Sequence, residues 1–220
     1  MNWDLIIFDC DGVLVDSEPI AEIVFPEILA QEGFPIPPKE AKELFTGYSI
    51  KSCIEIMQKR FNKPAPLDLE QKYYSRLFIE FKKSLKPIPG IKNVLESINY
   101  PVCVASSGSH EKMNLTLGLT GLLHFFKNNI FSAADVKNGK PYPDLFLHAA
   151  EKLNARPEKC AVIEDSIPGV RAGISAEMTV FGYINKFSHS DTEYTNLLRK
   201  MNDLGAKVFF DMNKLPGFFQ

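Results

Sequence analysis

Asp4-Leu5-Ile6-Ile7-Phe8-Asp9-Cys10-Asp11-Gly12-Val13-Leu14-Val15-Asp16 decides how this 220-residue chain is read. Leu5 to Phe8 is an unbroken apolar run, the pattern of a central parallel strand covered on both faces. The run ends in two acids, Asp9 and Asp11, and side chains two apart on an extended segment point the same way. Open α/β sheets bind ligands at that C-terminal edge of their strands. Two like charges held so close repel unless a cation lies between them or one takes a proton. Chemistry is therefore the expected reason for the pair.

Working outward, Gly12 permits a sharp turn. Asp16-Ser17-Glu18-Pro19 then reads as a helix start: a capping side chain, an acid, and proline in the first turn. Ile20, Ile23, Val24, Ile28 and Leu29 carry helical spacing towards a stop at Gly33, and Pro26 should kink that helix. Pro35 to Pro38 reads as a connector. Ser49 to Phe61 and Leu69 to Leu85 read as two further helices, and no strand pattern interrupts the stretch from Ser17 to Leu85.

Lys86-Pro87-Ile88-Pro89-Gly90 is a linker, after which strands and helices alternate. Strands are expected at Val102–Ala105, Ile130–Phe131, Cys160–Ile163, Met178–Phe181 and Val208–Phe210, with helices between them. Alternation of this kind specifies a doubly wound, Rossmann-like parallel sheet of the α/β class. The first strand belongs to that sheet. The expected organisation is a core domain of residues 1–16 and 86–220, with an inserted all-helical cap domain of residues 17–85.

Bulk properties narrow the function. A formal charge of −2 leaves no basic footprint for nucleic acid. No apolar run approaches a membrane span, and the first residues lack an export signal. Cys10, Cys53, Cys103 and Cys160 are scattered without a Cys-x-x-Cys pair, which fits a reduced cytoplasm. Neither nucleic acid nor a membrane is expected as a partner, and the chain is expected to act as a monomer.

Three strands end in polar residues at one edge, and a loop adds a lysine. These are Asp9 with Asp11, Ser106-Ser107-Gly108, Glu164-Asp165-Ser166, and Lys140. Together they suit phosphoryl transfer from a small phosphorylated metabolite. A phosphate monoester would repel an attacking carboxylate, and Mg²⁺ removes that obstacle by bridging the two. Asp9 and Asp165 can each supply an oxygen to the ion, and the main-chain carbonyl of Asp11 a third. The Ser106 hydroxyl with amides nearby, around Ser107, and the Lys140 ammonium can hold the remaining phosphate oxygens. Asp9 would attack phosphorus. Asp11 would protonate the leaving oxygen and later take a proton from water.

These residues, with Lys140-Pro141 and Glu164-Asp165-Ser166-x-x-Gly169, resemble the four motifs of the haloacid dehalogenase superfamily of phosphatases. The helical insertion directly after the first motif is similar to the cap of the beta-phosphoglucomutase-like branch. The resemblance implies Asp9 as nucleophile and Asp11 as general acid/base. It implies Ser106 and Lys140 on phosphate, and Asp9, Asp11 and Asp165 around Mg²⁺. Glu164 is then a partner that orients Lys140 or a metal-bound water.

An acid at position 11 favours phosphate esters, because dehalogenases of similar fold lack one there. A phosphosugar mutase of the beta-phosphoglucomutase type is the alternative. That enzyme carries a cap histidine where this chain has Ala21 and a cap arginine near Ile50; Lys51 is a possible substitute. A phospho-accepting receiver domain shares the acids, a hydroxyl and a lysine, but it is normally near ~120 residues and has no helical insertion. Specificity is expected to lie in the cap, with Gly47, Ser49 and Lys51 as candidates. Residues 46–49 form the loop expected to reach the site, and residues 16–17 and 86–90 the hinges. The histidines His110, His124, His148 and His189 carry no assigned role, and His110, nearest the site, reads as a surface residue.

Overall fold

A computed structural model of the protein describes residues 2–126, 128–185 and 190–219, so His189 lies outside the described residues. Six strands form one sheet: β1 (Leu5–Phe8), β2 (Val102–Ser106), β3 (Ile130–Ser132), β4 (Cys160–Glu164), β5 (Thr179–Tyr183) and β6 (Lys207–Phe209). Their spatial order is β3-β2-β1-β4-β5-β6, and every neighbouring pair is parallel. The strand order reverses at β1, so its C-terminal end opens into the crevice between diverging connections, where ligands bind in such sheets.

The apolar run Leu5–Phe8 is fully buried because its two faces enter different cores. Ile6 and Phe8 pack with Val104, Ile163 and Phe181 on one side. Leu5 and Ile7 pack with Cys103, Val162 and Val180 on the other. Helices α5 (Ile91–Ser97) and α6 (His110–Leu119), the short α7 (Leu123–Phe126) and a 3₁₀ segment at Met212–Phe219 cover the first face. Helices α8 (Asp144–Lys152), α9 (Ile167–Ser175) and α10 (Asp191–Asp203) cover the second. The doubly wound α/β architecture is as expected, with element ends displaced by a residue or two.

Between β1 and α5 run four helices: α1 (Glu18–Gln31), α2 (Pro38–Phe45), α3 (Ile50–Phe61) and α4 (Leu69–Ser84). They enclose an apolar cluster of their own, built on Phe25, Leu29, Phe34, Met57, Leu77 and Phe81. α1 runs through Pro26 as one helix. α2 corrects the sequence reading: Pro38 is its first residue, where fixed φ and a missing N–H cost nothing, rather than the end of a connector. The two strands of chain joining these helices to the sheet lie side by side. Val15 and Pro87 form an antiparallel bridge. The Asp16 amide donates to Lys86 O (2.9 Å), and the Ile88 amide to Leu14 O (3.0 Å). No helix among the described residues is long and apolar enough to cross a membrane.

Candidate active site

The parallel register brings the strand ends level, with Phe8 beside both Val104 and Ile163. Asp9 follows β1, Ser106 ends β2, and Glu164 ends β4 with Asp165 next. A cavity of about 140 Å³ opens there, bounded below by Asp9, Asp11, Ser106 and Lys140 and above by the helical insertion.

One carboxylate oxygen each of Asp9, Glu164 and Asp165 lies within 4.8 Å of the others. Lys140 reaches into this group from the loop before α8. Its Nζ donates to Asp9 Oδ1 (2.5 Å) and to Glu164 Oε1 (2.7 Å), with a side chain only 1% exposed. The other Glu164 oxygen accepts from the Ser166 amide and hydroxyl, so Glu164 is held at both ends. Burial, then the charges of Glu164 and Asp11, raise the Asp9 carboxyl to about 7 against the pull of Lys140. Burial and the charges of Glu18, Glu164 and Asp9 push Asp165 well above the ordinary carboxylate value. One lysine does not balance three acids. Hard carboxylate oxygens with an excess of negative charge fit a magnesium-sized cation, with Asp9 and Asp165 as donors and Glu164 already committed to Lys140 and Ser166.

Gly12 makes the convergence possible. Its φ of +76° turns the chain under Asp165, and a Cβ there would stand 1.9 Å from Asp165 Oδ2. The Asp11 carboxylate stands outside that trio of oxygens and has partners of its own. Asp11 Oδ1 accepts from the Ser17 hydroxyl (2.5 Å), and Oδ2 accepts from Lys112 Nζ (2.7 Å). Burial pushes Asp11 up, but the Lys112 ammonium and the Ser17 hydroxyl outweigh it and hold it below the ordinary value. Ser17 was expected to help cap α1. Its hydroxyl makes no cap hydrogen bond and turns instead to Asp11.

The remaining sequence candidates fall in different places. Ser106 is buried, and its Oγ accepts from the Gly108 amide (3.1 Å). Ser107 Oγ donates to Gly47 O (3.1 Å), a contact from strand end to insertion. Gly47 lines the cavity at φ +82°, where a Cβ would come within 2.6 Å of Ser166. Ser49 does not line the cavity; its side chain caps α3 by accepting from the Ser52 amide. Lys51 is exposed and outside the cavity as well, because the first turn of α3 points it to solvent. His110 is exposed and bonds Asp135.

Lys112 and Glu18 are among the cavity residues that escaped sequence reasoning. Lys112 looks like a solvated helix lysine, and Glu18 like a first-turn helix acid. Burial and the neighbouring Glu22 raise Glu18 to about 7. Lys112 left one usable signal: it sits in the first turn of α6, where the helix dipole disfavours a cation.

Comparison with known proteins agrees with this geometry. Residues 3–177 match the family described as haloacid dehalogenase-like hydrolase. The chain is 34% identical over 179 residues to the 6-phosphogluconate phosphatase of Escherichia coli K12, covering 81% of each. It is 30% identical over 201 residues to the phosphorylated carbohydrates phosphatase of Thermotoga maritima, covering 84% of this chain and 87% of the relative. A HAD family hydrolase from Deinococcus radiodurans R1, crystallised with phosphate and sodium bound, superposes with a TM-score of 0.71 at 29% identity. That match covers 97% of this chain and 93% of the other.

Proposed function

This chain belongs to the haloacid dehalogenase-like hydrolase family, and on that premise we propose that it is a Mg²⁺-dependent phosphatase of small phosphorylated sugars. The observation that carries the reading is the meeting of Asp9, Asp165 and Lys140 within hydrogen-bond and ion reach at the edge of the sheet. The sugar as leaving group follows from the relatives, one acting on 6-phosphogluconate and one on phosphorylated carbohydrates.

In the proposed reaction, a carboxylate oxygen of Asp9 attacks phosphorus, and an Asp9–phosphate bond forms as the bond to the sugar oxygen breaks. The negative charge of the bound phosphate raises Asp11 from its depressed value in the free protein, so that it enters the reaction protonated. It gives its proton to that departing oxygen. A water molecule then attacks the phosphoryl group and returns a proton to Asp11. Inorganic phosphate leaves, and Asp9 is free again. Lys140, held by Glu164, keeps the Asp9 oxygen aimed and supplies positive charge beside the phosphate. Ser106 and the amides around Ser107 take up further phosphate oxygens. Asp9, Asp165 and the main-chain carbonyl of Asp11 would hold Mg²⁺, which when bound offsets the charge between carboxylate and phosphate.

Residues 17–85 serve as the cap that shuts water out of this site, moving about the paired crossings at residues 16–17 and 86–90. Ala21 and Ile50 line the cavity with aliphatic side chains, where a mutase would grip a second phosphate, which favours hydrolysis over transfer within the sugar. Four free, buried thiols suit a reducing cytoplasm.

A screen of phosphorylated metabolites for released phosphate tests the reading. Sugar phosphates should be hydrolysed, chelation should stop turnover, and added Mg²⁺ should restore it. Conversion of a sugar phosphate to its isomer, without phosphate release, would overturn it.

A further inference from the structure

Asp11 is set apart from the other acids by its partners. Lys140 bonds Asp9 and Glu164, whereas Asp11 is bonded by a different cation, Lys112. Lys112 rises from the first turn of α6, where its amide is pinned by the Ser109 cap (3.2 Å). Its stem passes over Gly108, where a Cβ would stand 3.4 Å from the lysine Cδ and 3.7 Å from Asp11 Oδ2. The side chain is 13% exposed, against 25% for Asp11, so solvent screens the pair little. Tyr73 and Tyr74 of α4 line the same cavity, and α4 packs on α6, so Lys112 stands at the seam between sheet and insertion.

We propose that Lys112 is a positioning residue for Asp11, fixing Oδ2 from the sheet side while Ser17 holds Oδ1 from the hinge. This inference rests on the proposed roles of Asp9 and Asp11. The division of labour matters because Ser17 lies at the crossing into α1 and travels with it, while Lys112 is anchored to β2 and α6. Lys112 therefore keeps the carboxyl aimed when the hinge moves. An acid misaimed by an ångström loses most of its benefit, which for general acid catalysis is ~10²–10⁴-fold. A pair serving stability alone would affect every substrate alike.

The full-length protein with Mg²⁺ is assayed on two esters: a sugar phosphate, whose alkoxide needs a proton to leave, and 4-nitrophenyl phosphate, whose phenolate does not. In K112M, kcat/KM on the sugar phosphate should fall by roughly 10²-fold, while kcat/KM on the aryl ester stays near wild type. On the aryl ester kcat and KM should fall together, because water attack still needs Asp11 and phosphorylated enzyme accumulates. Should K112M melt below the assay temperature, K112Q replaces it and should show the same pattern at smaller size. Equal losses of kcat/KM on both esters, or wild-type kinetics, would overturn the inference. D9N separates the premises: turnover of either ester by D9N would defeat the proposed reaction itself, whatever Lys112 does.

Discussion

At the scale of single residues, the acids around Lys140 set a pH dependence whose sign can be worked out. Asp9 and Asp165 have carboxyls raised from 3.8 in the folded protein, Asp9 to about 7. The folded state thus binds more protons than the unfolded state across that window, and stability falls as pH rises through it. One pK unit corresponds to about 1.4 kcal/mol, or ~3–6 °C for a protein of this size. After chelation, D165N should therefore raise the Tm at pH 7.5 by at least ~3 °C, with the gain shrinking towards pH 5. Added Mg²⁺ should raise the Tm of the wild type and have little effect on D165N. Melting curves at the two pH values check this, and a lower Tm for D165N at pH 7.5 would show that the acids do not repel one another. Asp9, Asp11, Ser106, Lys140 and Asp165 were legible because each sits at a strand end or in a loop beside one. Lys112 was not, since a helix lysine in sequence looks the same whether it meets solvent or a half-buried carboxylate 101 residues away.

At the scale of elements, the loop between α2 and α3 does what its composition suggests. Gly47 lets it lie against Ser166, and its carbonyl accepts from Ser107, so the insertion touches two strand ends at once. In S107A one hydrogen bond of about 1 kcal/mol is lost, so kcat/KM should drop by less than about tenfold and Tm by no more than ~2–4 °C. G47A should be worse, because its Cβ meets Ser166 at 2.6 Å and φ +82° is strained for any side chain. We expect its activity to fall well below that of S107A while the circular dichroism spectrum stays native. Steady-state kinetics on a sugar phosphate decide the order, and wild-type activity in G47A would mean that the loop does not close on Ser166 during turnover. α2 itself escaped the sequence because it is short, begins with Pro38 and buries only Ala41 and Phe45. Ser49 and Lys51 lie outside the cavity for a related reason. Proximity to Gly47 in sequence says little about direction once α3 begins, and one is spent on the cap of that helix while the other faces solvent.

At the scale of the whole molecule, one sheet order accounts for the location of the chemistry. β1 lies between β2 and β4 with both pairings in register, so the residues following Phe8, ending β2 and ending β4 must meet. Continuous apolar runs made that core readable, since strands buried on both faces cannot be confused with half-exposed ones. The helical insertion was readable as helix but not as a shape, because the packing of Phe25, Phe34 and Phe81 depends on contacts no local pattern encodes. The account as a whole depends on a covalent bond between Asp9 and phosphorus during turnover. Acid-quenched reactions with a sugar phosphate, digested and weighed by mass spectrometry, test it directly. A phosphoryl group is expected on the peptide carrying Asp9, more abundant in D11N when 4-nitrophenyl phosphate is the donor, and absent from D9N, which should not turn over. Sustained turnover with that peptide unmodified at every time point, or a phosphoryl group on another residue, would contradict it.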